Sequence, residues 1–188
     1  MRRLEYQTIN DLEPYSIEYN KWNYSIVLFG DSTTYGQGLE EEDRLHNIID
    51  TVYPVINTAY IAESNEHIFK KFIDAVYKHG LPRAVIVGYS SPFREALVEN
   101  NTIKSVGHWN KPDMDKETML SRTGDIIKSI RLMTKNSPCI LKEWTVFIQS
   151  DYYREQGVYN LPFEDYAKDG KHPGPKTIRT LSNWIGNV

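Results

Sequence analysis

Three side chains that could form an activated serine lie far apart in this 188-residue sequence. Ser32 comes shortly after the apolar run Ser25–Phe29 and is preceded by Gly30. Asp169 and His172 stand three positions apart near the other end. A serine is a poor nucleophile until a base takes its proton, and a carboxylate can fix the tautomer of that base. Ser32 would then be the nucleophile, His172 the base and Asp169 the residue that orients it.

A purely structural interpretation of each segment is also open. Asp31, Ser32 and Thr33 are residue types that cap helices. His172 precedes Pro173, and such a pair commonly forms a turn. Either segment alone favours the structural interpretation, whereas the two together favour a catalytic serine.

The elements that must position these residues follow from the hydrophobic pattern. Strands alternating with amphipathic helices predict an α/β fold with a parallel sheet and right-handed crossovers. The predicted strands are Ser25–Phe29, Tyr53–Tyr60, Ala84–Gly88 and Trp144–Gln149. The predicted helices contain Ile68–Val76 with Asn65 as its cap, Met119–Met133, and Ile178–Ile185 opened by Pro175. Residues 100–115 and 151–168 are predicted to be irregular.

Ligands of open parallel sheets bind beyond the carboxyl ends of the strands. Ser32 lies at such an end, where a strand passes through a glycine into a helix. Backbone N–H groups at that point can stabilise an anion. The sequence therefore predicts the site at this edge of the sheet.

Two segments carry a resemblance to a known family. Ile26–Gly38 resembles the first block of SGNH/GDSL hydrolases, which has Gly-Asp-Ser at the end of the first strand, and 169–172 resembles their last block, Asp-x-x-His. The resemblance spans roughly residues 25–185. It implies a flavodoxin-like three-layer α/β/α sandwich and hydrolysis of esters through an acyl-enzyme on Ser32, with Asp169 and His172 completing the triad.

The two middle blocks of that family are altered. Ala62 or Glu63 stands where the family has a glycine whose backbone N–H enters the oxyanion hole, and Ser90 stands where it has an asparagine donor. Ser90, Asn65 or Arg94 could replace the missing donor, and the sequence does not choose among them. The Ser-Ser-Pro-x-Arg form of this block resembles that of bacteriophage-encoded members.

Composition limits the partners. The net charge of -3 leaves no basic excess for nucleic acid, and no apolar run approaches the ~20 residues that span a bilayer. The polar segment Met1–Asn10 does not read as a signal peptide, so we expect a cytoplasmic protein or, if phage-encoded, a virion component. Residues 1–22 are predicted to be an irregular arm and 23–188 one domain.

No cofactor or metal is expected. Glu41 occupies the position where a dinucleotide motif beginning at Gly36 and Gly38 would need its third glycine. The remaining histidines lack the spacing of metal ligands. Tyr152, Tyr153 and Arg154 could line a sugar cleft, although ordinary surface placement is the simpler interpretation.

The sequence thus predicts a serine hydrolase that cleaves small esters, such as O-acetyl groups on carbohydrates. The alternative is a non-catalytic binding or virion structural protein that retains the fold, because a fold does not by itself determine function.

Overall fold

The computed structural model describes residues 7–8, 19–99, 102–107, 115–147 and 150–186. In chain order the elements are β1 (Gln7–Thr8), α1 (Tyr19–Trp22), β2 (Ile26–Gly30), α2 (Ser32–Tyr35), a 3-10 turn (Glu41–Asp43), α3 (Leu45–Ile48), β3 (Val55–Asn57), α4 (Asn65–His79), β4 (Ala84–Gly88), β5 (Arg94–Glu99), β6 (Thr102–Gly107), α5 (Lys116–Thr134), β7 (Ile140–Thr145), α6 (Ser150–Glu155), β8 (Tyr159–Asn160) and α7 (Pro175–Ile185).

A parallel sheet of five strands lies at the centre, in the order β3-β2-β4-β7-β8. Numbered along the chain, these strands run 2-1-3-4-5, which is the flavodoxin-like order. The order reverses between β2 and β4, and a ligand crevice is expected at that switch point. The predicted fold class is therefore confirmed.

Helices cover both faces of the sheet because successive strand residues point to opposite sides. Val27 and Phe29 face one side and pack against α4 and α5. Ile26 and Leu28 face the other side and pack against α3 and α7. All four side chains are buried, so β2 is the middle of a three-layer sandwich.

The helix starts are set by their caps. Ser64 caps α4 by accepting a hydrogen bond from the N–H of His67, so the prediction that Asn65 is the cap is wrong by one residue. Asp115 caps α5, and Pro175 opens α7 as predicted. None of the helices in the described ranges combines the length and the apolar character needed to cross a bilayer.

Two strand predictions need correction. β3 covers only Val55–Asn57 of the predicted run. β7 begins at Ile140 and ends at Thr145, earlier than the predicted run Trp144–Gln149, whose last two residues lie outside the described part. The entry of β7 escaped the hydrophobic pattern because Ile140 is partly exposed and Lys142 lies over the ring of Trp184.

The predicted loop at 100–115 is wrong over 102–107, where β6 pairs antiparallel with β5. Residues 100–101 and 108–114 of that prediction lie outside the described part. The stretch predicted to be irregular after residue 150 contains α6 and β8. A hairpin therefore leaves the sheet directly after the exit of β4, beside the expected site.

Most of the predicted arm 1–22 lies outside the described residues. Gln7–Thr8 pairs with β6. Trp22 is fully buried, and its indole N–H donates to the carbonyl of Gly80 at 2.9 Å. Trp22 therefore belongs to the core, while the domain boundary at residue 22 stays a prediction.

Two glycines let the strand ends at the switch point close around one side chain. Gly30 and Gly88 are paired across β2 and β4. A Cβ at Gly30 would lie 2.0 Å from the hydroxyl oxygen of Thr34, and one at Gly88 would lie 2.2 Å from it and 2.7 Å from the Trp144 ring. Thr34 thus occupies the space that both glycines leave, and this contact fixes α2 on the end of the sheet.

We expect Gly88→Ala to lower the free energy of unfolding by about 1–3 kcal/mol, because the new methyl group overpacks the site occupied by Thr34 and Trp144. Urea unfolding followed by circular dichroism measures the change. An unaltered midpoint and slope would contradict the close packing of Thr34 over the strand ends.

Candidate active site

The turn after β2 holds Ser32 at the switch point. Asp31 caps α2, since its Oδ1 accepts from the N–H of Thr33 at 3.0 Å. Ser32 begins this one-turn helix, so its own N–H has no acceptor within the helix. Gly36, in the left-handed conformation, ends the helix after a single turn. Ser32 is 7% exposed, so most of the residue is buried at the switch point.

The two ends of the sequence meet at this serine. His172 Nε2 lies 3.0 Å from Ser32 Oγ, although the residues are 140 positions apart. On the other side of the ring, His172 Nδ1 lies 2.6 Å from Asp169 Oδ2. A neutral imidazole with its proton on Nδ1 donates to Asp169 and accepts from the hydroxyl of Ser32. This geometry allows the imidazole to take the hydroxyl proton.

The carboxylate of Asp169 is held by its own loop. Asp169 Oδ1 accepts from the N–H groups of Lys171 at 3.0 Å and His172 at 3.1 Å. Partial burial opposes ionisation, but these hydrogen bonds and the one to the His172 ring outweigh it and lower the pKa of Asp169. The group is therefore a carboxylate at neutral pH, fixed in orientation before any ligand binds.

Asp165 anchors this loop to α7. Its Oδ1 accepts from the N–H of Thr177 at 2.9 Å, and its Oδ2 accepts from the N–H of Lys176 at 3.0 Å. It thereby does the capping that Gly174, which has no side chain, cannot do. The N–H of Ala167 donates to the carbonyl of His172 at 2.8 Å. Residues on both sides of His172 are thus tied together.

The exit of β3 takes the conformation that a glycine would favour. Ala62 has φ 65°, and it is the only described residue other than glycine with a positive φ. L-residues pay roughly 1–2 kcal/mol for this region, because Cβ approaches the carbonyl oxygen. The exit of β3 therefore has a turn geometry that favours glycine, with Ala62 at the left-handed position.

Asn65 and Ser90 contact each other below this edge. The N–H of Ser90 donates to Asn65 Oδ1 at 2.9 Å. Asn65 Nδ2 donates to the hydroxyl of Tyr153 at 2.8 Å, and that hydroxyl donates to the carbonyl of Ser90 at 2.5 Å. The amide of Asn65 is therefore already used to hold the turn after β4.

Arg94 links two strand exits. Its Nη1 donates to Asp31 Oδ2 and to the carbonyl oxygen of Glu63, both at 3.2 Å. Burial raises the pKa of Asp31, while Arg94, the N–H of Thr33 and the hydroxyl of Ser90 counteract that rise. The guanidinium therefore compensates a buried carboxylate directly before the serine.

A second buried charge cluster lies behind Ala62. Burial raises the pKa of Glu63 to about 7, although the Lys71 ammonium 2.5 Å away opposes this. Burial together with Lys71 and Lys70 lowers the pKa of His67 to about 4. His67 Nδ1 lies 3.5 Å from Glu63 Oε1. Glu63 therefore contributes only its backbone to the edge of the sheet, since its side chain points into this cluster.

The structure thus brings Ser32, Asp169 and His172 into one hydrogen-bonded chain. The other sequence-predicted site residues border it or support it: Ala62, Glu63, Asn65, Ser90 and Arg94. No three described His, Cys, Asp or Glu side chains are grouped so that they could hold a metal ion.

Sequence reasoning missed the roles of Tyr153, Lys71 and Asp165. Tyr153 is fully buried, so neither a sugar cleft nor the surface describes its place. For Tyr153 the sequence offered one signal, its residue type, because a tyrosine next to an apolar helix face can bury its ring if its hydroxyl finds a hydrogen-bond partner. The partners of Lys71 and Asp165 follow from no local pattern.

We expect Ala62→Gly to raise the free energy of unfolding by about 1 kcal/mol, because glycine adopts the left-handed region without strain. Ala62→Val should do the reverse, since a β-branched residue tolerates this region least. Thermal and urea unfolding of the two variants measure the changes. A destabilised glycine variant would contradict the left-handed conformation.

The cluster behind Ala62 predicts opposing pH effects. His67 has a folded pKa of about 4 and an unfolded pKa of 6.5, so the unfolded chain takes up a proton between these values and stability falls as pH drops through them. Glu63 has a folded pKa of about 7 and an unfolded pKa of 4.5, so its contribution is lost as pH rises through that range.

Between pH 7 and pH 4 we therefore expect the free energy of unfolding of wild type to fall by roughly 2–3 kcal/mol more than that of His67→Gln. Urea unfolding at several pH values, with wild type and variant side by side, measures this difference. Parallel pH curves for the two proteins would contradict a neutral, buried His67.

Comparison with known proteins shows the fold. No protein-family model matches the sequence, and a search of curated proteins also finds no match. A protein assigned to the lipolytic G-D-S-L family from Desulfitobacterium hafniense DCB-2 is 15% identical, with a TM-score of 0.58 over 87% of this chain and 98% of the other.

Two further solved structures have the same architecture. A member of the lipolytic G-D-S-L family from Veillonella parvula DSM 2008 is 11% identical, with a TM-score of 0.52 over 85% of this chain and 94% of the other. The psychrotrophic esterase EstA from Pseudoalteromonas, in a structure inhibited by monoethylphosphonate, is 12% identical, with a TM-score of 0.50 over 87% of this chain and all of the other. This chain therefore has the fold of the SGNH/GDSL lipolytic proteins.

Proposed function

We propose that this protein is a serine hydrolase that cleaves esters. The observation that carries the proposal is the continuous contact from Asp169 through both nitrogens of His172 to Ser32 Oγ, at 2.6 Å and 3.0 Å. These distances allow proton transfer and fix the tautomer of the base. The position of Ser32 at the switch point of a sheet with the lipolytic G-D-S-L fold supports the same conclusion.

The reaction proceeds through an acyl-enzyme. His172 Nε2 takes the proton of Ser32 as Oγ attacks the carbonyl carbon of the ester. The imidazolium then gives this proton to the departing alcohol, and the acyl group stays on Ser32. Water, deprotonated by the same nitrogen, releases the acid. Asp169 stabilises the imidazolium in both halves and keeps Nδ1 protonated.

The oxyanion of the tetrahedral intermediate needs donors at the exits of β2, β3 and β4. The N–H of Ser32 is the first, since it begins a helix. The left-handed Ala62 turns the backbone at the second exit, where the N–H of Ala62 or Glu63 is the next donor. Ser90 and Arg94 are the candidates at the third, because the amide of Asn65 is bonded elsewhere.

The side chains near Ser32 favour a small, polar substrate. The ion pair of Asp31 with Arg94 lies on the turn side of Ser32, and Asp169 and His172 lie on the other side. A long acyl chain requires an apolar groove, which charged groups oppose. We therefore propose short acyl esters, with O-acetyl groups on carbohydrates as the natural class.

The nucleophile is tested with an aryl acetate. Ser32→Ala should abolish the hydrolysis of p-nitrophenyl acetate, while the unfolding transition stays almost unchanged because the hydroxyl adds little packing. Circular dichroism confirms that the variant is folded. Hydrolysis at the wild-type rate in Ser32→Ala would refute the serine mechanism.

A fluorophosphonate probe gives a second readout. Wild type should be labelled at Ser32, identified by mass spectrometry of the modified peptide, and Ser32→Ala should not be labelled. Asp169→Asn is the matched control for the base, because it keeps the size of the side chain and should slow the labelling. A folded wild-type protein that takes up no label would favour the non-catalytic binding protein.

A further inference from the structure

We propose that Gly38 is a positioning residue: its bare backbone forms the seat against which the carboxylate of Asp169 rests. This inference rests on the proposed function, since it assigns a task to a residue outside the three that react. It also gives a structural reason for a glycine at position 38.

The contact between the two segments is closer than any side chain would permit. A Cβ on Gly38 would lie 2.8 Å from Asp169 Cγ, 2.9 Å from Asp169 Oδ2 and 3.0 Å from the Cβ of Ala167. Oδ2 is the oxygen that meets His172 Nδ1. The methyl group of an alanine would therefore displace the very atom that orients the base.

The backbone of Gly38 also takes part in the contact. Its carbonyl accepts from the N–H of Lys168 at 3.2 Å, which ties the turn to the residue before Asp169. Gly38 has φ 84°, a region that glycine adopts without strain. The seat therefore needs glycine for two reasons, its conformation and its lack of a side chain.

The carboxylate is thus held on three sides. Two backbone N–H groups hold Oδ1, the imidazole holds Oδ2, and Gly38 closes the remaining side. Only two residues, Gly36 and Gln37, separate Gly38 from the end of α2, which begins with Ser32. The same short turn therefore places the nucleophile and sets how far Asp169 can move, so the two outer parts of the triad share one rigid support.

Gly38→Ala and Gly157→Ala form a matched pair for the test. Gly157 has φ 71°, and a Cβ there would have no atom within 4 Å. Both alanine variants suffer the strain of a positive φ, but only the one at position 38 collides with Asp169. Any difference between them therefore reports the collision.

With p-nitrophenyl acetate we expect Gly38→Ala to lower kcat by about 10- to 100-fold, because a displaced carboxylate no longer orients His172. KM should change by less than about twofold, because the substitution acts on the orientation of the base and not on the binding of the ester. Labelling of Ser32 by the fluorophosphonate should slow in parallel. Gly157→Ala should keep the wild-type kcat; equal kcat values in the two variants would overturn the seat.

A stability cycle separates this inference from the proposed function and covers a variant that folds poorly. Gly38→Ala should shift the urea midpoint further in wild type than in Asp169→Ala, where the carboxylate is gone. Equal shifts in both backgrounds would overturn the seat, whatever the activity. If Ser32→Ala keeps full activity, the proposed function fails alone, and the cycle still decides whether Gly38 and Asp169 are coupled.

Discussion

The carboxylate of Asp31 is buried to 1% exposure directly before the nucleophile turn, and a buried charge must be compensated by groups around it. The N–H of Thr33 supplies one hydrogen bond, which at the same time starts α2 and sets the direction of Ser32. Arg94 supplies the positive charge and reaches on to the carbonyl of Glu63. Compensation of one buried acid thus connects the exits of β2, β3 and β4, and the edge of the sheet forms a single polar framework.

A second framework lies beneath the first and uses neutral groups. Asn65, Ser90 and Tyr153 satisfy one another, so the turn after β4 is rigid before a ligand arrives. Preorganised donors stabilise a developing oxyanion better than groups that must first reorganise. The asparagine that the family resemblance would place in the oxyanion hole is absent. The nearby Asn65 uses its side chain in hydrogen bonds to Ser90 and Tyr153. The proposed enzyme therefore depends on backbone donors and on the Ser90–Arg94 segment.

Local patterns predicted well wherever burial alone shapes the sequence. β4 was predicted with its observed bounds because both of its faces are covered, which makes it a continuous apolar run. β7 was misplaced because its first residues are partly exposed. β6 was missed because it belongs to a hairpin outside the central sheet, where the sequence lacks the apolar pattern of a buried strand. The cap of α4 was assigned to Asn65 because serine and asparagine are equally good cap residues. Only the tertiary structure distinguishes them, since the side chain of Asn65 is bonded to Ser90, 25 positions away, and Ser64 is left as the cap.

The sequence by itself determined the α/β class, the central strands β2 and β4 with the helices α4, α5 and α7, and the candidate triad, because hydrophobic period and strand-exit residues are local properties. Tertiary structure alone decided which groups face one another. The salt bridge of Arg94 with Asp31 and the contact of Gly38 with Asp169 join segments that are distant in the chain. Such pairs depend on strand register and on the packing of α7 against the sheet, and neither leaves a trace in the spacing of neighbouring residues.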